Sequence, residues 1–420
     1  MSLIEIDHIT TIFGKNPKEA LKHLNAGMDK QTLLAKTDHV LGLHDITMNI
    51  EAGEIFVIMG LSGSGKSTLV RHINRLIDPT SGSIRIDGVD ILKLSRKELI
   101  EIRRKRIAMV FQRFGLMPHH TVLDNAAYGL EIRGVGKEER LASARQWLER
   151  VGLSGYEDHY PDQLSGGMQQ RVGLARALAS DTDIILMDEA FSALDPLIRS
   201  ELQDEVVALQ KSLGKTIVFI THDLDEALRL ADRIAILKDG CLIQLGTPTD
   251  ILLNPADGYV EAFVRDVNRA RALTVDTLMQ PPDLRLTADT IGEALAAMRK
   301  AKADVGYFVD AGKYAGVVTR DALEEAVREH GVAHATSEIA DDAHVVMLDT
   351  AIEIALPTML ESQHPVAVVN EEGELAGVVS QQDVGDLLVT AEKEAEEDAD
   401  TEESSEDRKE EDKKELAAAS

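Results

Sequence analysis

Residues 60–67 have a pattern of glycines, lysine and serine that suits the binding of nucleotide phosphates. The segment reads Gly60-Leu-Ser-Gly-Ser-Gly-Lys-Ser67 and follows a short apolar run, Ile55 to Met59, that predicts a strand. Glycines let backbone N–H groups turn toward phosphates, and a following helix N-terminus adds positive potential. Lys66 would then reach the β- and γ-phosphates, and the Ser67 hydroxyl would ligate Mg²⁺. The predicted nucleotide-binding residues of this loop and first helical turn are Gly60, Ser62, Gly63, Ser64, Gly65, Lys66, Ser67 and Thr68.

A second apolar run ends in two adjacent acids. Ile184 to Met187 predicts a buried strand, and Asp188 and Glu189 follow it directly. A carboxylate at a strand end beside the phosphate loop suits Mg²⁺ coordination through water, the role we assign to Asp188. Glu189 would accept a proton from the attacking water. The alternative is that the two acids cap the next helix, as acids commonly do.

Strands and helices alternate through the first two-thirds of the chain. Ile107 to Val110 and Ile217 to Ile220 also predict strands, whereas Leu141 to Val151 and Ile198 to Leu213 have helical periodicity. This alternation predicts an α/β fold with a mostly parallel sheet. A hairpin turn is expected near the end of this part, at residues 238–241.

The pattern changes after Arg271, where a short repeat begins. Ala315-Gly-Val-Val318 recurs as Ala376-Gly-Val-Val379, and each copy follows an apolar strand and precedes a helix that opens with Thr319 or Ser380. Two copies of one small α+β unit explain this economically. Two unrelated hairpins with four residues in common are the alternative.

Composition adds limits on function. The 420 residues carry a formal net charge of −28, which by itself disfavours nucleic acid as a partner. Residues 1–273, however, contribute only −5 of it, so bulk charge is a weak argument. Residues 391–420 contain 14 acids, 5 bases and no Phe, Trp, Tyr, Ile or Val, which predicts a disordered acidic tail. With one cysteine, no secretory signal and no apolar run long enough to cross a membrane, a reducing compartment is expected.

The segment Leu164-Ser-Gly-Gly-Met-Gln-Gln-Arg171 resembles the signature of ATP-binding cassette (ABC) transport ATPases, with Met168 between Gly167 and Gln169. The resemblance extends over residues 3 to 260. It implies a P-loop ABC ATPase domain with a parallel sheet core, an antiparallel β subdomain and a helical subdomain. It also implies that the signature acts in trans, on ATP held by a second copy of the chain. The signature residues so assigned are Leu164, Ser165, Gly166, Gly167 and Gln169.

Four further site residues rest on the same resemblance. Gln112 resembles the glutamine that senses Mg²⁺ and the attacking water, in the loop that faces the membrane subunits. His222 resembles the switch histidine that contacts the γ-phosphate, and Asp195 lies in the loop that crosses the dimer interface. Phe13 occupies the position of an aromatic residue that stacks on adenine. The alternatives are a polar strand end for His222 and a core residue for Phe13. The catalytic set is therefore Glu189, His222 and Gln112, and the metal set is Ser67, Gln112 and Asp188.

Residues 274–390 resemble paired cystathionine-β-synthase (CBS) domains. Together with a helical insertion at residues 15–42 and the segment from Met187 to Arg199, they resemble the ATPase subunits of glycine betaine and proline betaine importers. This implies ATP and Mg²⁺ as ligands, a membrane permease and a substrate-binding protein as partners, and a peripheral position on the cytoplasmic face of the membrane. An amino acid or polyamine importer is the alternative. A soluble mechanochemical ATPase is less favoured, because the chain has one cassette and a short gap without heptads.

The CBS resemblance also implies a regulatory site. Ser380 and Asp383 match positions that bind the ribose of an adenine nucleotide, while the first repeat has Thr319 but Ala322 in place of the acid. An adenine nucleotide, a cyclic dinucleotide or ionic strength would be the signal; inert dimerisation modules are the alternative. The basic run at residues 103–106 would meet anionic lipid, or else is an ordinary solvated helix end. The predicted domains are 1–273, 274–390 and 391–420.

Overall fold

The structure, a computed structural model, describes residues 2–112, 115–192, 194–265, 267–341 and 344–386. The predicted acidic tail at 391–420 lies outside these residues. The chain divides into two compact units, Met1–Val264 and Arg265–Ser420. Among the described residues, no helix is both long and apolar enough to span a membrane.

The first unit contains two sheets whose strands are rich in buried aliphatic side chains. Its predicted strands at residues 55, 107, 184 and 217 are present, and the predicted turn at residues 238–241 joins two antiparallel strands. The strands are β1 (Ser2–Phe13), β2 (Val40–Glu51), β3 (Ile55–Met59), β4 (Ser81–Ile86), β5 (Val89–Asp90), β6 (Ile107–Val110), β7 (Ile184–Asp188), β8 (Thr216–Thr221), β9 (Arg233–Lys238) and β10 (Cys241–Gly246).

The two sheets of this unit have different strand directions. One sheet has the order β2-β1-β4-β5 and is antiparallel. The other has the order β10-β9-β3-β8-β7-β6 and is parallel except for β10. Every residue of β3, β7 and β8 is buried, as expected for parallel strands covered on both faces. The predicted parallel core and antiparallel β subdomain are thus confirmed.

The helices of the first unit cover the sheets and form a separate helical part made of α5, α6 and α7. Many begin at a side-chain cap; Ser95, for example, accepts from the Glu98 amide and forms a capping box. The helices are α1 (Pro17–Asn25), α2 (Lys30–Thr37), α3 (Lys66–Ile73), α4 (Arg96–Lys105), α5 (Val122–Ile132), α6 (Lys137–Arg150), α7 (Gly166–Ala179), α8 (Pro196–Leu213), α9 (Leu224–Leu230), α10 (Pro248–Leu253) and α11 (Gly258–Val264), with 3₁₀ turns at Ile91–Lys93 and Pro161–Gln163.

The predicted insertion at 15–42 contains α1 and α2, but its last residues belong to β2. That strand begins at Val40, six residues before the stretch predicted from Ile46. The longer strand forms because Val40 pairs with Phe13 at the far end of β1. The strand register of the sheet therefore sets the end of the insertion.

The second unit contains two similar modules, each with three strands and helices. A 3₁₀ turn precedes each module (Val275–Thr277 and Thr336–Glu338), and residues 381–386 are helical. The elements are α12 (Arg269–Ala272), β11 (Arg285–Leu286), α13 (Ile291–Ala301), β12 (Val305–Asp310), β13 (Lys313–Thr319), α14 (Arg320–His330), β14 (Val345–Met347), α15 (Ile352–Glu361), β15 (Val366–Val369) and β16 (Leu375–Val379).

The two modules repeat the same topology, as the recurring Ala-Gly-Val-Val sequence predicts. The sheets are β11-β12-β13 and β14-β15-β16, and in each the first pair is parallel and the second antiparallel. The modules share a buried cluster, and the Tyr307 hydroxyl donates a hydrogen bond to the Pro365 carbonyl at 2.8 Å. Burial raises the pKa of Tyr307, so this hydroxyl stays protonated and keeps its donor role.

The structure places the end of the first unit at Val264, nine residues before the predicted boundary at 273. Residues after this point already belong to the second unit. The Ile352 amide donates to the Leu273 carbonyl at 3.0 Å, and the Val275 amide donates to the Thr350 carbonyl at 2.9 Å. These backbone hydrogen bonds attach residues 273–275 to the second of the two modules.

Candidate active site

The phosphate loop connects the end of β3 to the start of α3. Gly63 has a φ of 80° with open space where a side chain would lie, so its backbone conformation alone requires glycine. At Gly60 the requirement is close approach, because a Cβ there would lie 2.1 Å from the Leu237 carbonyl oxygen. The loop is therefore held directly against β9.

Lys66, the first residue of α3, is buried and turned back over the loop. Its Nζ donates to the carbonyls of Gly60 at 2.6 Å and Leu61 at 3.0 Å. Burial lowers the pKa of this ammonium group, while the nearby carboxylates of Glu189 and Asp188 oppose the shift. A buried cation that spans the loop is placed to neutralise phosphate oxygens held by it.

Ser67 and Asp188 lie together at the predicted metal position. The Ser67 hydroxyl donates to Asp188 Oδ1 at 3.0 Å, and Arg71 lies 3.9 Å from Asp188 Oδ2. Asp188 is only 2% exposed, and burial raises its pKa, although the Ser67 and Arg71 contacts oppose the shift. One hydroxyl and one carboxylate beside a phosphate loop are the oxygen ligands that Mg²⁺ prefers. These residues fit a magnesium ion bound together with phosphates and water.

Glu189 lies at the centre of the site. Gln112 Nε2 donates to its Oε2 at 2.6 Å, and His222 Nδ1 lies 3.4 Å from its Oε1. The strand register explains the meeting of Gln112 and Glu189, since Val110 pairs with Met187 in the parallel strands β6 and β7. Gln112 and Glu189 each lie two residues after this pair, so their side chains reach the same edge of the sheet. The structure thus brings the three predicted catalytic residues together.

The signature segment lies at the N-terminus of α7, in the helical part. Ser165 is exposed and caps the helix, accepting from the Met168 amide at 3.3 Å. The side-chain Nε2 of Gln169 donates to the carbonyls of Pro161 at 2.9 Å and Leu164 at 3.2 Å. The Gln169 side chain therefore supports the residues before the signature, and the action of the signature in trans stays a prediction. The contacts of Ser165 and Gln169 among the described residues lie within this segment and not at the phosphate loop.

Asp195 and Phe13 lie at two other edges of the first unit. Asp195 is exposed directly before α8, and its neighbour Leu194 lies against Gly167, where a Cβ would come within 3.2 Å of Leu194 Cδ2. The predicted interface loop and the signature are therefore adjacent. Phe13 is 40% exposed, and its ring lies over Gly42. This exposure disfavours the core alternative and suits stacking.

Sequence reasoning did not identify two residues that contact the site. Arg71 lies one helical turn after Ser67, and the i, i+4 spacing on α3 was the available signal. Tyr259, on α11, accepts from the Leu61 amide of the phosphate loop and donates to the Leu237 carbonyl, both at 3.4 Å. No local pattern indicates this contact, because nearly two hundred residues separate Tyr259 from the loop.

The other two predicted contact regions have intramolecular partners. Ser380 donates to Asp383 Oδ2 at 2.5 Å, and the Asp383 amide donates back to Ser380 Oγ at 3.2 Å, which is a helix capping arrangement. In the basic run, Arg103 donates to backbone carbonyls, and the following three residues pair with acids. The contacts of the basic run support the helix-end alternative, and Ser380 and Asp383 form a helix cap, an arrangement that the sequence analysis did not predict.

A phosphate loop on a parallel sheet, a strand-end acid pair and a separate Ser-Gly-Gly helix N-terminus together define an ABC-type ATPase. The family model described as ABC transporter matches residues 43–192, and the model described as CBS domain matches residues 337–389.

The chain is 49% identical, over 90% of its length and 96% of the relative, to the glycine betaine/proline betaine transport system ATP-binding protein ProV of Salmonella typhimurium. It is 47% identical, over 90% of its length and 96% of the relative, to the glycine betaine/carnitine transport ATP-binding protein GbuA of Listeria monocytogenes. The chain therefore belongs to the family of glycine betaine/proline betaine ABC transporter ATP-binding proteins.

A solved structure supports the fold assignment of the first unit. The post-hydrolysis dimer of the ATP-binding cassette MJ0796, bound to ADP and Pi, aligns with a TM-score of 0.51 and 34% identity. The alignment covers 58% of this chain and 98% of the cassette. ATP binding thus follows from both the family and the fold.

Proposed function

We propose that this chain hydrolyses ATP to energise import of glycine betaine or a related quaternary amine. The observation that carries the catalytic part is the Glu189 carboxylate, whose two oxygens contact Gln112 and His222 beside Lys66 and Asp188. The cargo is inferred from the relatives that transport glycine betaine, proline betaine and carnitine, all of which contain a quaternary ammonium group and a carboxylate.

In the proposed reaction, a water oxygen bonds to the γ-phosphorus while the bond to the β–γ bridging oxygen breaks, which releases ADP. Glu189 accepts the proton of this water, and Gln112 orients it. Lys66 and the loop amides bind the β- and γ-phosphates, and His222 contacts the γ-phosphate. Ser67, Asp188 and Gln112 would hold Mg²⁺, which supplies charge neutralisation on the phosphates when bound.

The proposed assembly contains two copies of the chain, because the phosphate loop and the signature of one copy lie in different parts of the first unit. In the dimer, Ser165, Gly166 and Gly167 of one copy would face the triphosphate held by the other, and Asp195 would cross the interface. The partners are a membrane permease and a substrate-binding protein. The chain would then lie on the cytoplasmic face of the membrane.

Regulation through the second unit is also proposed. Its paired modules resemble CBS domains, and an adenine nucleotide, a cyclic dinucleotide or ionic strength is the expected signal. Ser380 and Asp383 already bond to each other, so a ribose at this position would have to exchange with the helix cap.

The test uses the full chain assembled with its permease and binding protein in lipid vesicles. Glycine betaine bound to the binding protein should stimulate ATP hydrolysis, and it should accumulate in the vesicles. Glycine, which lacks the three methyl groups, should neither stimulate hydrolysis nor accumulate. Glu189→Gln should bind ATP and abolish both readouts. Stimulation by a polyamine or an unmethylated amino acid instead would show that the proposed cargo is wrong. Full turnover by Glu189→Gln would reject Glu189 as the base.

A further inference from the structure

The insertion between β1 and β2 is a packed element of the first unit. Its helices α1 and α2 bury apolar side chains against the two flanking strands. The imidazole of buried His39 lies against the carbonyls of Lys15 and Thr37, which joins the start of the insertion to its end. The buried side chains that hold the insertion are Ile12, Ala20, Leu24, Leu33 and Leu41.

Helix α2 is also anchored to the turn that supports the phosphate loop. Lys30 Nζ donates to Asp239 Oδ1 at 2.7 Å. The next residue, Gly240, donates its amide to the Ser64 carbonyl at 3.0 Å and accepts from the His44 amide at 2.8 Å. The first turn of α2 is therefore bonded to Asp239, whose neighbour Gly240 contacts the backbone of the phosphate loop directly.

A cavity of about 390 Å³ lies between α2, β2 and this turn. Its volume is within the range of about 300–1,000 Å³ that is usual for small-molecule sites. Helix α2 contributes Lys30, Gln31 and Leu34 to its lining, β2 contributes Val40 and Leu41, and the turn contributes Asp239.

One lining residue of the cavity, Val40, lies on the face of the sheet that carries Phe13, whereas Leu41 lies on the opposite face. Val40 pairs with Phe13 across the antiparallel strands, and side chains opposite each other in such a pair project from the same face. The Phe13 ring covers Gly42 on that face, and the carbonyl of Gly42 lies 2.8 Å from where a Cβ on Gly65 would be. Aromatic ring, cavity and phosphate loop are thus neighbours.

The lining of this cavity suits an uncharged heteroaromatic ring. Leu34 and Val40 are 49% and 50% exposed and provide apolar contact area. The charges of Lys30 and Asp239 pair with each other, and the Asp29 carboxylate is engaged by the amide and hydroxyl of Thr32. The side-chain amide of Gln31 is exposed and makes no hydrogen bond within the described part of the chain.

We propose that α2 forms a second wall of the nucleobase site and that Gln31 selects adenine. The inference rests on the ATP-dependent function proposed above. A glutamine amide has one donor and one acceptor side, which match the N7 acceptor and N6 donor of adenine. Guanine presents two acceptors, O6 and N7, at the same edge. The amide N–H could bond to one of them, but the amide oxygen would then face the other acceptor. Stacking on Phe13 alone would accept both purines, and the insertion adds the selection.

The test measures the affinity of the full-length chain for ATP and GTP, with Mg²⁺, by competition against a fluorescent ATP analogue. The wild-type protein should prefer ATP by about tenfold, the discrimination expected of one matched amide–base pair. Gln31→Ala should reduce this preference to within about twofold by weakening ATP binding. The matched control is Gln146→Ala, an exposed glutamine on α6, which should keep the wild-type preference.

Three results would be decisive in different ways. Equal binding of ATP and GTP by the wild-type protein, or an unchanged preference in Gln31→Ala, would overturn the role of the insertion while leaving ATP-dependent function intact. Failure of the wild-type protein to bind either nucleotide would reject the proposed function itself. Thermal denaturation of Gln31→Ala should match wild type, since the residue is exposed and lies outside the cluster that holds the insertion.

Discussion

His72 Nε2 lies 2.7 Å from Thr11 Oγ1, and this contact joins strand β1 to the helix that follows the phosphate loop. On the other side of the ring, Nδ1 donates to the Ile77 carbonyl at 2.8 Å. Because that carbonyl only accepts, Nδ1 carries the proton and Nε2 accepts from the Thr11 hydroxyl. A fully buried, neutral histidine therefore connects the antiparallel sheet to α3.

This arrangement predicts a pH-dependent stability. Burial lowers the pKa of His72 from its ordinary 6.5, so below about pH 6.5 the unfolded chain binds a proton that the folded chain does not. The free energy of unfolding should then fall as the pH falls through this range, by at most about 1.4 kcal/mol per pH unit for one proton. Denaturant unfolding of His72→Gln between pH 7 and 5 should show a shallower fall than wild type.

The matched control for that series is His23→Gln on α1, at an exposed position. It should keep the wild-type slope. An equal slope in wild type and His72→Gln would show that other groups, and not His72, cause the acid sensitivity.

A second prediction concerns the hydrogen bond between Gln112 and Glu189. Gln112→Ala removes the donor at 2.6 Å from Glu189 Oε2. Hydrogen bonds to charged groups contribute about 1.5–3 kcal/mol, so if the bond positions the base in the transition state, kcat should fall about 10- to 100-fold. Steady-state ATP hydrolysis at saturating ATP and Mg²⁺ measures this change in kcat. An unchanged kcat would assign Gln112 to a role outside catalysis.

The sequence predicted the local parts of this site better than the distant ones. Gly60, Lys66 and Ser67 were identifiable because eight consecutive residues form the loop, and the strand end at Asp188 followed from the four apolar residues before it, Ile184 to Met187. The resemblance identified Gln112, but only the register of β6 and β7 explains its distance from Glu189.

Contacts between distant residues were not predictable from local patterns. Tyr259 reaches the phosphate loop through the fold alone. For Gln169, the signature pattern did not indicate the contacts of its side-chain amide, which bonds backward to the carbonyls of Pro161 and Leu164. Residue type and spacing do not determine the rotamer of an amide, and backbone carbonyls nearby compete for it.

A third prediction concerns Asn125, which is fully buried on α5. Its Nδ2 lies within hydrogen-bond distance of the carbonyls of Met117, His120 and Thr121, and its Oδ1 accepts from the Met117 amide at 2.8 Å. Asn125→Ala would remove these side-chain contacts from partly buried backbone groups, at about 1–3 kcal/mol for each group left unsatisfied. The free energy of unfolding should fall by about 3 kcal/mol in chemical denaturation.

Asn49→Ala is the control for this loss, because Asn49 is exposed and its side chain bonds only to Glu51 among the described residues. Its effect should stay within about 0.5 kcal/mol. A loss for Asn125→Ala as small as the control would mean that water replaces the side chain and that the loop at residues 117–121 is ordered by other contacts.

A fourth prediction tests the action of the signature in trans. Glu189→Gln should dimerise when ATP is added, because the nucleotide is bound and not hydrolysed, and light scattering measures the doubled mass. Adding Ser165→Asp to this variant keeps a good helix N-cap but places a negative charge where the partner's triphosphate would lie. Like-charge juxtaposition costs several kcal/mol, so the ATP-dependent dimer should weaken by more than about tenfold.

Ser95→Asp, at the exposed N-cap of α4, makes the same chemical change away from the site and should leave dimerisation intact. Equal dimerisation of the two double variants would show that Ser165 does not face the nucleotide of a second copy.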